Sequence, residues 1–424
     1  MTEPTSAFAA FAAFIGIDWA DKKHDVCLQV SGSDAPERSV LEHRPIAIER
    51  WAAQLRERFG GAPIAVCLEL AQGPIVSALL EHDCFVIFPI HPATLARYRR
   101  AFSPSGAKDD PTDAEVAVDL VRRHPEKFSP LKQESAAMRS VRRLVEARRD
   151  VVQDRVRVTN RLTVELKAHF PQVLSWFRDK DTAVFIDFID RWPTLEAAKK
   201  ATAQQLGAFF RAHNVRSAQV ISDRIEQIAK ERPLTTDAAV VDTAVAIAAG
   251  LVAQLRVLVA EVRRLDERIE QLCQKLPDYH LFASLPGAGK VFAARLVVAF
   301  GEHRERFPTA AALQRYAGVA PVTERSGQQH WVHWRWSCPR FLRQTFVEWA
   351  AQTITRSFWA KTYYQRQKAK GARHQAALRA LAFKWIRILW RCWIDRIPYD
   401  ESRYLMALER RHSPLLAASA QSSP

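Results

Sequence analysis

Residues 107–114 read AKDDPTDA and place three carboxylates within five positions. Two kinds of chemistry use such a run. One is a helix start: Asp110 suits the N-cap, Pro111 the first helical position and Asp113 the acid of a capping box, ahead of Val116, Val118, Leu120 and Val121. A cap needs only one acid, however, and carboxylates three apart at a helix start can be aimed at one point. Two more acids close apolar segments far upstream, Asp18 in GIDWA and Glu69 in CLELAQG. Four such hard oxygen donors, if they converge, would bind Mg2+, and two ions about 4 Å apart stabilise both the attacking and the leaving oxygen of a phosphodiester. Convergence depends on the elements that carry the acids.

Segments 14–20, 24–30 and 38–44 read as three short strands separated by turn-rich stretches, the first two alternating apolar and polar. A helix over about 46–59, a buried-type strand at 63–70, a helix near 74–82, the strand CFVIFP and a helix near 92–101 follow. Strands first, then alternating helix and strand, predict an α/β domain with a mixed sheet over residues 1–130. This is the order of a ribonuclease H-like fold. In such a sheet the strands ending at Asp18 and Glu69 are neighbours, and the helix beginning at Asp110 covers the edge where both emerge.

The 424 residues and 48% hydrophobic content suffice for two or three domains with real cores. Six cysteines, at 27, 67, 84, 273, 338 and 392, contain no CxxC pair, which argues against a zinc ribbon or a disulfide framework and fits a reducing, cytoplasmic setting. The opening MTEPTSAFAAFAAF has an acid where a signal peptide has basic residues and reads as a loose tail. No apolar run is expected to reach the roughly 20 residues of a membrane span. Net charge is unevenly divided, −4 over residues 1–130, +6 over 131–276 and +14 over 277–424. An acidic first part with a strongly basic last part predicts a cation-binding centre joined to a polyanion-binding surface.

Residues 131–276 read as mostly helical, with Leu255, Leu258, Val262, Leu265, Ile269, Leu272 and Leu276 in a strict heptad seam that predicts a coiled coil. Its partner is either the helix carrying Val141, Leu144, Val151, Val158 and Leu162 or the same helix of a second protomer. A helical insertion interrupts this middle region near 175–240, and a basic domain over 277–412 precedes a disordered tail at 413–424. LPGAGKV at 285–291 fails as a P-loop, since Val291 stands where a Mg2+-binding Ser or Thr belongs. It reads instead as a helix-hairpin-helix-like turn in which Gly287 and Gly289, with Lys290 beside them, let the backbone approach a phosphate at a helix N-terminus. Eight of the twelve tryptophans lie between 331 and 393. KWIRILWRCW has helical spacing and reads as core. HWVHWRWSCPRFLRQ, with Arg335, Arg340 and Arg343, reads as a surface where aromatic and guanidinium planes stack on bases. His330 and His333 lack a matching ligand set for a metal.

GIDWA, CLELAQG, AKDDPTDA, the stretch from FASLPGAGK to YAGVAP, and ERSGQ occur in this order. Together they resemble the DEDD transposases of insertion-sequence family one hundred and ten, relatives of the Piv-type DNA invertases. The resemblance covers nearly the whole chain outside its helical middle. It implies a RuvC-like N-terminal domain whose metal-binding acids are Asp18, Glu69, Asp110 and Asp113, holding two Mg2+ ions. It also implies a mostly α-helical C-terminal transposase domain whose nucleophile is Ser326. As bare sequence, RSGQ is an ordinary turn. Family members are similar to RNA-guided recombinases, in which a noncoding bridge RNA pairs with donor and target DNA. They work as bacterial homo-oligomers, dimers and tetramers, whose acidic and serine centres can come from different protomers. Arg325 stands where relatives often have an acid, ELAQG replaces the commoner EATG, and the insertion exceeds compact members. Arg325 is either a contact to the scissile phosphate or a plain surface arginine. The competing readings are a RuvC-like nuclease without strand joining and a non-catalytic nucleic-acid-binding scaffold.

Overall fold

The computed structural model describes residues 11–102, 110–413 and 415, with the side chains of residues 102, 110 and 111 outside that description. The chain divides into two compact units, residues 1–133 and 134–424.

In the first unit, β1 (Ala13–Asp18), β2 (Lys23–Val30), β3 (Glu37–Glu42), β4 (Ile64–Leu68) and β5 (Phe85–Pro89) form one sheet in the order β3-β2-β1-β4-β5. Short turns make β1, β2 and β3 antiparallel, whereas helical crossovers make β1, β4 and β5 parallel. This arrangement is compatible with the ribonuclease H-like expectation. The strand at β1 begins at Ala13, inside the stretch read as a loose tail, because Phe11 and Phe14 pack with Phe88 and neighbouring apolar side chains; residues 1–10 lie outside the description. α1 (Pro45–Arg58) buries Ile48, Ala52 and Leu55 at helical spacing, and α2 (Pro74–Leu79) buries Ile75, Val76 and Leu79 on the same side of the sheet. α3 (Pro92–Phe102) and α4 (Asp110–Arg123) cover the other side. Every residue of β4 is buried because Ile64, Val66 and Leu68 meet the first helical layer and Ala65 and Cys67 the second.

The second unit is built on two long helices, α5 (Ala136–His169) and α11 (Ala238–Cys273). Met138, Val141 and Val145 near the start of α5 share a core with Leu265, Ile269 and Cys273 near the end of α11, so the two run antiparallel. The apolar seam is therefore paired within the chain, on the helix that carries Val141 and Val158. Between them lie α6 (Val173–Trp176), α7 (Ala183–Arg191), α8 (Leu195–Lys200), α9 (Ala203–Ala212) and α10 (Ala218–Lys230). This insertion has a core of its own, rich in rings such as Phe170, Phe185, Phe188 and Phe210, closed by Leu162 of α5 and Leu251 of α11. One segment departs from expectation: α11 is long and apolar enough by composition to cross a membrane. Its Ala248, Leu251, Val252 and Leu255 pack into the insertion core.

α12 (Tyr279–Ala283), α13 (Gly289–Phe300), α14 (Ala310–Tyr316), the hairpin β6 (Val322–Ser326) and β7 (Gln329–His333), then α15 (Arg340–Thr353), α16 (Phe358–Ala369), α17 (His374–Asp395) and α18 (Glu401–Arg410) complete the chain. Their core is continuous with Met138, Val145, Leu265 and Ile269, so the middle and last parts of the sequence form one body. Trp349, Trp359, Trp385 and Trp393 are fully buried in it. Three of these indoles keep a hydrogen-bond acceptor: Trp349 Nε1 donates to the Pro286 carbonyl at 3.1 Å, Trp359 Nε1 to the Tyr399 hydroxyl at 2.8 Å and Trp385 Nε1 to Thr353 Oγ1 at 2.9 Å. Trp385, Ile386, Leu389 and Trp393 of KWIRILWRCW are core, as its spacing predicts. Leu415, in the stretch read as a tail, is buried in the same core, and residues 414 and 416–424 lie outside the description.

Candidate active site

Asp18 and Glu69 reach one sheet edge because of register. Ile17 of β1 pairs with Leu68 of β4 in parallel, so Asp18 and Glu69 are each the next residue at the carboxyl ends of neighbouring strands. Side chains alternate along a strand. Gly16 and Cys67 lie on the α4 side of the sheet, and Asp18 and Glu69 continue those two series. Asp18 also faces Asp25 directly across the antiparallel β1–β2 pair. Asp25 is a fifth acid at the edge that sequence reading missed; only the hairpin register reveals it.

α4 runs antiparallel to β1. Ala114 and Val118 sit over Gly16, and Arg122 near the helix end reaches Asp34 beyond the far end of β2. The first turn of α4, with Asp110 and Asp113, is therefore the part that overhangs the Asp18–Glu69 edge. Gly16 permits this approach: a Cβ there would lie 2.0 Å from the carbonyl oxygen of Ala114. The glycine of GIDWA thus sets how closely the helix sits on the strand.

Asp113 is buried, with 5% of its surface exposed, and its carboxylate pairs with the guanidinium of Arg99 from α3. One oxygen of the Asp113 carboxylate is thus engaged with a neighbouring helix, while the capping-box reading, which needs Asp110 as its N-cap, rests on residues outside the description. Arg99 Nε is buried without a hydrogen-bond partner among the described residues. The side chain of Asp110, and with it the N-cap reading, lies outside the described residues. Among the described residues, no three His, Cys, Asp or Glu side chains converge closely enough to hold a metal ion. The geometry thus brings Asp18, Glu69 and Asp113 to one edge without closing them into a cluster.

Buried His24 organises the loop after Asp18. Its Nδ1 accepts from the Ala20 N–H at 3.3 Å and its Nε2 lies 2.9 Å from His43 Nδ1. Accepting at Nδ1 places the ring proton on Nε2, which then donates to His43. Burial, followed by the electrostatic influence of neighbouring His43, pushes the imidazole below its ordinary pKa, against the smaller pull of Asp25.

Ser326 ends β6 and is exposed at the tip of the hairpin, paired with Gln329 across a two-residue turn. Gly327 takes φ +60 at the first turn position, where only glycine is unstrained. Arg325, also exposed, lies opposite His330. Glu324 braces the hairpin, accepting from Trp331 Nε1 at 3.1 Å and pairing with His333 Nε2 at 2.8 Å. Glu324 holds the His333 imidazole above its ordinary pKa.

Trp331 on β7 and Trp336 beyond the hairpin are exposed, Arg335 is half-buried, and Arg340 and Arg343 occupy the first turn of α15. Arg379 of α17 joins this surface, its guanidinium lying over Trp334 and losing proton affinity to burial and to the Arg343 charge. Arg379 lies on a helix whose tryptophans read as core, so only the packing brings it here. Gly287 lies against another helix of the same unit. Its φ is +70 and a Cβ would lie 2.9 Å from the carbonyl oxygen of Gln352, so the close neighbour is the protein's own α15. Gly289 opens α13 with free space around it, and Lys290 pairs with Glu270 of α11 at 2.7 Å.

Residues 15–171 match a family described as transposase, of the IS110 DEDD type, and residues 279–365 match one described as transposase of the IS116/IS110/IS902 family. A Streptomyces coelicolor protein named as a transposase for the IS117 mini-circle is 29% identical across 97% of this chain and 99% of its own length. The uncharacterized 43.6 kDa protein of insertion element IS110 from the same organism is 30% identical across 70% of this chain and 73% of its own length. The 44.8 kDa protein of insertion element IS116 from Streptomyces clavuligerus is 25% identical across 82% of this chain and 83% of its own. The two family matches bracket the sheet edge and the serine hairpin respectively, and the chain belongs to the IS110 family of DEDD transposases.

Proposed function

We propose that this transposase is RNA-guided and that it cuts and rejoins DNA through a Mg2+-dependent acidic centre at Asp18, Glu69, Asp110 and Asp113 and a serine nucleophile at Ser326. The observation that carries the acidic centre is the Ile17–Leu68 register with α4 seated on Gly16, which directs acids from three elements toward one edge. Their hard oxygen donors suit Mg2+, and the pairing of buried Asp113 with a guanidinium fits an edge that attracts positive charge. Bound there, the ions would supply charge stabilisation to the attacking and leaving oxygens.

The protein's own contribution begins at Ser326, whose exposed hairpin position gives a DNA phosphate access to Oγ. The Oγ–P bond forms as the bond from phosphorus to the leaving deoxyribose oxygen breaks; the serine proton is given up to the medium and the leaving oxygen takes one. A hydroxyl of the incoming strand then gives its proton to the medium, attacks the same phosphorus and expels Oγ, which takes a proton back to restore the serine. The phosphoserine ester conserves the bond energy, so rejoining needs no ATP. Arg325 and the exposed tryptophans would position the strand. The reaction requires the two centres to meet at one phosphate, within one chain or between protomers of a dimer or tetramer. Guidance by a bridge RNA rests on the family resemblance.

The test is capture of the covalent intermediate on DNA oligonucleotides. Ser326→Ala is expected to abolish the protein–DNA adduct while leaving RNA binding intact, and an adduct that survives would remove the nucleophile assignment. Sequencing the RNA that co-purifies with the protein is expected to return one element-encoded species. Purification free of any such RNA, with joining retained, would remove the guide.

A further inference from the structure

We propose that the groove between α17 and α18 is a second nucleic-acid surface, which seats the phosphodiester backbone of duplex DNA. The inference rests on the DNA substrate of the proposed reaction but uses none of its catalytic residues. α17 buries Leu378, Leu381, Ala382, Trp385, Ile386, Leu389 and Trp393 against the core. That stripe leaves Lys384, Arg387 and Arg391, spaced three and four apart, on the groove side of the helix. Arg403 and Arg411 face them from α18 and its C-terminal cap.

The acids on these walls are already engaged. Asp395 pairs with Arg391, and Asp400 caps α18 by accepting from the Arg403 N–H at 3.1 Å. Lys384, Arg387, Arg403 and Arg411 make no ion pair among the described residues. Lys384 is half-buried, 4.9 Å from the centre of the Tyr363 ring, and burial with the charges of Arg387 and Arg366 weakens its hold on its proton. Like charges gathered at a partly desolvated groove repel one another, and a polyanion laid along them would relieve that repulsion.

Extent favours a polymer over a single phosphate. The groove encloses about 870 Å³. Lys384 to Arg391 spans about 10 Å of helix, a length over which duplex DNA presents several phosphates. Tyr399 and Tyr404 make the floor aromatic but stay half-buried or engaged, with Tyr399 bonded to Trp359 and Glu401, so the groove offers charge more than stacking.

The experiment measures binding of the full-length protein to a duplex of about 30 base pairs, and to a single-stranded RNA of the same length, across a salt series. Arg387→Gln with Arg403→Gln is compared with Arg263→Gln with Arg356→Gln, a control pair of exposed cations outside the groove. The groove pair is expected to weaken duplex binding about 10-fold or more at physiological salt and to lower the log–log salt slope by about 2, with the control pair changing affinity less than about 2-fold. Equal loss in both pairs would reduce the effect to net charge and overturn the groove. Unchanged duplex binding, with or without loss of RNA binding, would overturn it as well. If the unmodified chain itself bound no DNA, the proposed function would fail first, a distinguishable result.

Discussion

Gly16→Ala tests how the sheet edge is assembled. The added methyl would sit 2.0 Å from the Ala114 carbonyl oxygen, 3.0 Å from its carbon and 3.1 Å from Val118 Cγ2. Gly16 is not among the positive-φ glycines, so the penalty comes from contact alone. The obstruction is helix backbone, so relief requires α4 to retreat from β1 by about 1 Å, and overpacking of this kind costs about 1–3 kcal/mol. Native-state hydrogen exchange of β1 and β4 amides reads the first unit by itself, and those amides are expected to exchange about 5- to 150-fold faster. The retreat carries Asp110 and Asp113 away from Asp18 and Glu69, and a displacement near 1 Å at a reacting centre can cost about 100-fold in rate. Strand joining on oligonucleotides should therefore fall more steeply than stability. Gly250→Ala is the counterpart: it lies in α11 with nothing within 4 Å of the added methyl and should stabilise the second unit by about 0.5–1 kcal/mol. Wild-type exchange and wild-type joining in Gly16→Ala would refute both the close approach and its role at the edge.

Two further outcomes follow from the same edge. Arg99→Ala leaves the Asp113 carboxylate buried without its partner and is expected to destabilise the first unit by about 3 kcal/mol, read by exchange of α3 and α4 amides; Arg99→Ala with Asp113→Asn should recover part of that loss, and equal destabilisation in both would refute the pairing as its cause. The fold lowers the His24 pKa, so below the ordinary imidazole value of about 6.5 the unfolded chain binds more protons than the folded one. Stability of the first unit is therefore complete above that value and declines as pH falls through the window down to the lowered folded pKa. His24→Gln should remove this part of the acid sensitivity, and an unchanged pH profile would show that His24 contributes none of it.

Local pattern carried much of this molecule. Alternation and turn chemistry located the five strands of the first unit to within a few residues, since each is short and bounded by breakers and all but the mostly exposed β3 are largely apolar. The spacing of the α17 tryptophans marked a buried stripe, and the charge asymmetry marked the basic part. The serine of RSGQ stayed an ordinary turn until the family resemblance singled it out, because a hydroxyl at a hairpin tip carries no periodic or compositional signal. Helical periodicity could not choose the partner of the Leu255–Leu276 seam; chain reversal through the insertion decided it.

The sequence by itself determined which residues could do chemistry and on which kinds of element they lie, since residue type and hydrophobic period are local properties. Only tertiary structure decided what those residues meet. Asp113 finds Arg99, Gly287 finds Gln352 and Asp25 finds Asp18 through strand register and helix docking, which depend on packing between segments distant in the chain. Gly16 shows the division most directly. Its identity is written in GIDWA, but its purpose is the carbonyl of Ala114, nearly a hundred residues away, which only the folded sheet brings within reach.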